Sequence, residues 1–439
     1  MKKINIIFYI LLPILILGIP LRFTSFPLSL AVLILLTLLT NRHSAGIFLL
    51  MYGGPLGGIT RSIYPILPVY GLLLEFIGIV LLWDVISDLF KKHWGTIAGM
   101  IGVLAFFGFF YLLGTRDQFS TQKYFDVCTH GIMMLFGYYA FERSSKIDIE
   151  GLTRILIVAA VCMFAYCILA ARMTPGGLWD LNWFRDQSRY FNHLNENNGT
   201  LVGYQHIGML CLFATAIYLS QKRLKAGNTF FYVACASYLA LVSGCRQAML
   251  GVALVIALRA IVFKVENINA NNMVARMVWM VAAMIGAYFL FLFFFENLQS
   301  DVVAQTLDEG DEARSLFFIS AIDIFNQNPV TGAGLGGFHA ITGSVYPHNM
   351  FFELLCETGL VGVIGSILFL FIPLMRKKQG LLHITESNQF YFLIVVGIFV
   401  RVMVSSDLRE SIELFCAVFA VTSVNYYLGR PVRRTVEIN

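Results

Sequence analysis

Charge is scarce in this sequence. Asp, Glu, Lys and Arg make up 13% of the residues, against roughly 25% in an ordinary soluble domain. Hydrophobic residues reach 58% and the mean hydropathy is +0.74. A water-soluble protein of this length would need far more polar surface to cover its core, so a soluble globular fold is excluded. The net charge of +5 is modest, and the basic residues gather in a few loops, which excludes an extended nucleic-acid surface. The eight cysteines form no CxxC or Cys/His ligand pattern, and most lie inside apolar runs. They read as small core residues. Internal repetition is also missing. The two halves show no convincing repeat, and the external loop of the third quarter has no earlier counterpart.

What the chain does have is apolar runs long enough to cross a hydrocarbon core of ~30 Å, from end to end. Candidate spans are 4–20, 27–40, 44–56, 66–89, 95–113, 124–141, 152–172, 201–220, 229–243, 248–263, 273–295, 350–375, 390–404 and 412–427. The third is short and glycine-rich, either re-entrant or an extension of its neighbour, so about 12–14 spans are expected. Met1-Lys2-Lys3 followed by an apolar stretch resembles a signal peptide, but further spans follow and the first helix is expected to be retained. Basic clusters such as Lys222-Arg223 and Arg376-Lys377-Lys378 follow apolar runs and mark the cytoplasmic side. Both termini then fall inside, and two long segments, 173–200 and 296–348, fall outside.

The polar residues of interest collect at that outer side. Ser243-Gly244-Cys245-Arg246-Gln247 is a tight polar break between two spans. Positive charge is disfavoured there, so Arg246 is either a snorkelling anchor or an anion ligand, and the second reading is preferred. The acidic run Asp308-Glu309-Gly310-Asp311-Glu312 matches no calcium-loop spacing and reads as a solvated loop. Arg314 follows it and opens an amphipathic segment, 315–326, suited to lying on the outer leaflet. Next comes Asn328-Pro329-Val330-Thr331-Gly332-Ala333-Gly334-Leu335-Gly336-Gly337. Its glycine spacing lacks the strand and helix of a dinucleotide fingerprint, which leaves open a backbone loop that approaches a phosphate.

Pro347 then sets a turn, and a helix begins near His348-Asn349. Asn349, Glu353 and Glu357 recur every four residues and share one side of that helix. They fit a site in an apolar span, and equally a helix cap with a structural bond to a neighbouring helix. In the first external segment, Arg185 and Arg189 lie among Trp179, Trp183, Phe184, Tyr190 and Phe191. Aromatics there suit sugar rings or the membrane interface.

In order and spacing, Ser243-Gly244-Cys245-Arg246-Gln247-Ala248, Arg314 ahead of Asn328-Pro329-Val330-Thr331-Gly332-Ala333-Gly334, and Pro347-His348-Asn349 followed by Glu357-Thr358-Gly359-Leu360 resemble the O-antigen ligase and polymerase superfamily. The resemblance runs over roughly residues 185–373; the first half matches only as a set of spans. It implies an all-α polytopic membrane protein of C-type glycosyltransferase architecture, with short helices in a long external loop. It divides the chain into N-terminal spans (1–172), a catalytic region (173–428) and a cytoplasmic tail (429–439).

The implied substrates are polyprenyl-pyrophosphate-linked glycans, handled at the outer face of the bacterial inner membrane. Membrane lipid and a chain-length regulator protein are the implied partners, with no nucleic acid, metal or cofactor. By the same resemblance Arg246 and Arg314 engage the pyrophosphate, and His348 is the catalytic histidine. Arg185, Arg189, Asn349, Glu353 and Glu357 are candidates for substrate binding. Tyr346 stands where ligases of the family often carry a second histidine, so the resemblance points to a polymerase, with an O-antigen ligase as the alternative. A flippase for the same lipid-linked sugars is the competing class, and the missing repeat counts against it.

Overall fold

The computed structural model describes residues 25–63, 70–144, 146–171, 204–221, 226–243, 245–262, 315–375, 389–404 and 407–428. Every regular element among them is a helix. In chain order these are α1 (Ser25–Leu39), α2 (Arg42–Ile63), α3 (Tyr70–Leu81), α4 (Trp83–Lys92), α5 (Trp94–Leu113), α6 (Gln118–Arg143), α7 (Ile149–Ala171) and α8 (Tyr204–Leu219). Then follow α9 (Ala226–Val242), α10 (Arg246–Val262), α11 (315–327), α12 (Gly337–Thr342), α13 (Met350–Met375), α14 (Gln389–Val404) and α15 (Leu408–Leu428). Among the described residues, three stretches are long and apolar enough to cross a membrane: Trp94–Leu113, Ile149–Tyr166 and Met350–Pro373. Shorter apolar helices add Gly71–Leu81, Gln205–Leu219, Gln247–Arg259 and Leu393–Met403. With the apolar composition, these helices make an all-α polytopic membrane protein. The expected spans 4–20 and 273–295, the segments 173–200 and 296–314 and the tail 429–439 lie outside the described residues.

The chain forms two compact units, Met1–Leu81 with Lys146–Val303, and Leu82–Ser145 with Ala304–Asn439. In the first, α7 is the central helix. It packs against α1, α2, α8 and α9, and every residue from Ile155 to Ala165 is at most 1% exposed. A helix apolar on all sides belongs inside such a bundle. Small residues bring neighbours close: a side chain on Gly78 would meet the Leu50 amide at 2.8 Å, so α2 and α3 approach backbone to backbone. The glycine-rich third candidate span is therefore an ordinary helix, α2, packed on α3.

In the second unit α6 packs against α4, α5 and α15, and α13 against α5, α12, α14 and α15. The expected span 66–89 is two helices here. The chain breaks at Leu82, and α4 is amphipathic: Ile86 and Leu89 are buried while Asp84, Lys91 and Lys92 are exposed. Acid in its first turn and base in its last suit the helix dipole. Helix α11 does form where the amphipathic segment was expected, but its apolar residues divide. Phe317 joins Ala321 and Ile324 in a cluster with Phe338 and Cys356, whereas Leu316 and Ile319 stay exposed at 60% and 55%. Cys162, Cys211, Cys245, Cys356 and Cys416 are buried, as small core residues would be.

Candidate active site

The candidate site of the second unit is built around a broken helix. Inside α13, Gly359 takes φ 61° and ψ −163°, far from helical values. A break there deprives Leu360 and Val361 of the carbonyls four residues back, those of Cys356 and Glu357. The glycine-rich loop supplies all four missing partners. Leu360 N donates to Pro329 O at 3.0 Å and Val361 N to Val330 O at 3.1 Å. In return Ala333 N donates to Cys356 O and Gly334 N to Glu357 O, both at 2.9 Å. Leu335 N donates to Phe110 O near the end of α5. The loop is thus spliced into the helix ladder, and buried backbone groups that would otherwise be costly are paired.

That geometry demands glycine. Gly332, Gly334 and Gly336 all have positive φ. A Cβ on Gly332 would lie 2.4 Å from Glu357 C, and one on Gly334 2.3 Å from Gly114 Cα. The expectation of a loop open to a phosphate is corrected to this extent: the amides of Ala333 and Gly334 are committed to α13, that of Leu335 to α5, and that of Gly332 to Asn328 O within the loop.

The break leaves a short half-helix, residues 350–358, with His348 and Asn349 at its head. Asn349 is its N-cap. Its Oδ1 accepts from Phe351 N at 2.8 Å and from Phe352 N at 3.2 Å. Its Nδ2 donates to Met403 O at 2.7 Å, tying the cap to the end of α14. His348 adopts a left-handed φ of 58°. Non-glycine residues rarely do so, and such strain gathers at functional sites. Its ring packs 4.4 Å from the Tyr346 ring and 5.6 Å from that of Phe317.

Below it, Glu353 and Glu357 are each 1% exposed. Both face Lys123 of α6, itself 1% exposed. The Lys123 Nζ lies 2.5 Å from Glu353 Oε1 and 2.8 Å from Glu357 Oε2, and donates to both oxygens of Glu357. The contact with Glu353 is an ion pair off the hydrogen-bonding direction; among the described residues neither Glu353 oxygen has an aligned donor. Two carboxylates and one ammonium in so dry a place require close geometry to offset desolvation. Asp407, the residue that precedes α15, is paired with Arg409.

The structure therefore brings together His348, Asn349, Glu353 and Glu357, and adds Lys123, which motif reading missed. A lysine beside the expected span 124–141, on the side where positive charge is disfavoured, carried the same signal that singled out Arg246. Arg246 is the first residue of α10, in the first unit. Arg314, Arg185 and Arg189 lie outside the described residues. Among the described residues no group of three or more His, Cys, Asp or Glu side chains could hold a metal ion.

A broken helix spliced to a glycine-rich loop thus carries His348 at its capped head, within an all-helical membrane protein. Residues 231–367 match the family described as O-antigen ligase (Wzy_C), a segment holding Arg246, Arg314, His348, Asn349, Glu353 and Glu357. This match over part of the chain supports the O-antigen ligase and polymerase superfamily and, with it, a glycan-transferring role in O-antigen synthesis. No curated protein gives a significant sequence match.

Proposed function

We propose that the chain polymerises polyprenyl-pyrophosphate-linked oligosaccharide repeats at the periplasmic face of the bacterial inner membrane, without a metal or cofactor. The observation that carries this reading is His348: it stands in a left-handed conformation at the capped head of a broken helix, inside the segment that matches the family. His348 takes the proton of the acceptor hydroxyl as its oxygen bonds to the anomeric carbon; an imidazole with pKa near 6.5 suits that work. The bond from the anomeric carbon to the pyrophosphate breaks, and polyprenyl pyrophosphate leaves with the electron pair. From the sequence resemblance alone, Arg246 and Arg314 are assigned to the leaving pyrophosphate, where planar guanidinium forks stabilise growing negative charge. Arg185 and Arg189 are assigned secondary glycan or phosphate contacts on the same basis. Asn349, Glu353 and Glu357 have protein partners, which supports a role in shaping the site over direct contact with substrate. A chain-length regulator is the proposed protein partner.

Tyr346, in place of a second histidine, supports polymerase over ligase. Deletion of the gene, followed by a gel of surface glycan, decides between them. Loss of long polymer with a single repeat on the lipid core is the expected result. Long polymer held on the polyprenyl carrier would overturn the polymerase reading in favour of a ligase.

A further inference from the structure

We propose that Lys123 is a positioning residue for His348: its ammonium, gripped by Glu353 and Glu357, fixes the half-helix 350–358 whose head carries the histidine. This rests on the catalytic reading of His348 given above.

The break at Gly359 is what makes such a device necessary. In an unbroken helix the orientation of residues 350–358 would follow from the rest of α13. Here the helix ladder is interrupted and its bonds pass to the loop 329–334. The half-helix is held at three places. Its lower end is spliced to the loop. Its head is capped by Asn349 and tied to Met403 O. Its flank is held by Lys123, through an ion pair to Glu353 and a forked contact to Glu357. The two carboxylates stand one turn apart on one face, so a single ammonium between them fixes rotation about the helix axis, which neither end does alone.

Lys123 is in turn well placed. It lies in the second turn of α6, whose N-terminus is capped by Asp117. Ser120, in the same first turns, packs against Gly336, where a Cβ would come within 2.6 Å of Ser120 Cβ. Helix α6 and the spliced loop therefore hold the half-helix from two sides.

Stability and positioning can be separated. Buried ion pairs are often replaceable by well-packed hydrophobic groups of similar volume without loss of stability, whereas a small misplacement of a catalytic group lowers turnover. The test uses the full chain in nanodiscs with a polyprenyl-pyrophosphate-linked oligosaccharide donor. Lys123→Met should lower kcat by about tenfold to a hundredfold with donor KM little changed. The apolar triple variant Lys123→Met/Glu353→Met/Glu357→Met should melt close to the wild type and keep the kcat defect, which also answers the case in which Lys123→Met alone fails to fold. Lys123→Arg should recover part of the rate. Lys123→Met/His348→Ala should be no slower than His348→Ala alone, because a residue acting through His348 has nothing left to position. Full kcat in the triple variant, or losses that multiply in the double variant, would overturn the proposal while leaving His348 catalytic. Wild-type turnover in His348→Ala would overturn the catalytic reading itself, and this proposal with it.

Discussion

Gly334 donates its backbone N–H to the carbonyl of Glu357 at 2.9 Å, in the place where an unbroken helix would receive Val361. One loop amide thus stands in for a helical one, and the residue that supplies it has a positive φ and lies against the backbone of Gly114. Gly334→Ala should destabilise the folded chain by roughly 2 kcal/mol or more, from left-handed strain and backbone overlap together. Gly343 also has positive φ, but nothing lies within 4 Å of a Cβ there. Gly343→Ala should therefore show only the conformational part of the loss. Thermal melting of the two variants in detergent checks the difference; equal losses would mean that the close approach to Gly114 adds nothing.

Asp117 caps α6 by accepting from Ser120 N at 2.7 Å. The Ser120 hydroxyl and amide both donate to its carboxylate and hold it below the usual carboxylate range. The ionised form is favoured in the fold, so the gain is complete above the unfolded value and is lost as pH falls through the lower folded one. Asp117→Ala should cost about 1 kcal/mol at neutral pH, less if solvent screening is strong at this exposed position. The gap in melting temperature between variant and wild type should shrink below about pH 4. A gap that stays constant down to pH 3 would refute the charged cap.

Orientation is open to direct measurement. If the segment 296–348 faces the periplasm, as the basic clusters argue, a membrane-impermeant thiol reagent applied to intact cells should label Gly310→Cys in a background lacking native cysteines. It should not label Gln379→Cys. The opposite pattern would invert the topology and place the site on the cytoplasmic side.

Much of this arrangement was legible in the residues. Apolar runs located the helices closely: expected spans at 95–113 and 350–375 meet Trp94–Leu113 and Met350–Met375. Glu353 and Glu357 do share a face, turned to Lys123, while Asn349 caps the helix that Pro347 precedes. Three things escaped for physical reasons. Lys123 and Glu357 are 234 residues apart, so no local pattern links them. The break at Gly359 lies inside an apolar stretch, and apolar periodicity carries no record of which carbonyl a given amide reaches. The break at Leu82 was hidden in the same way, by apolar residues on both sides. The glycines were visible, but their use was not: positive φ and close approach serve a phosphate loop and a helix splice alike.

The backbone at His348 allows its chemistry to be tested apart from its fold. Its φ of 58° suits glycine or asparagine and strains most other residues. His348→Ala therefore mixes loss of an imidazole with greater backbone strain and lost packing against Tyr346 and Phe317. His348→Asn keeps a side chain tolerant of the left-handed region and removes the basic ring. It should melt within about 1 kcal/mol of the wild type, since asparagine enters this region with little penalty. Its turnover should fall by roughly a hundredfold or more, the scale of a lost general base. Donor affinity, measured by titration in nanodiscs, should change little if His348 serves only as base, and should weaken together with turnover if the ring also contacts the pyrophosphate. A folded His348→Asn that turns over at the wild-type rate would remove the imidazole from the reaction and leave the strained backbone as a purely structural feature of the turn into α13.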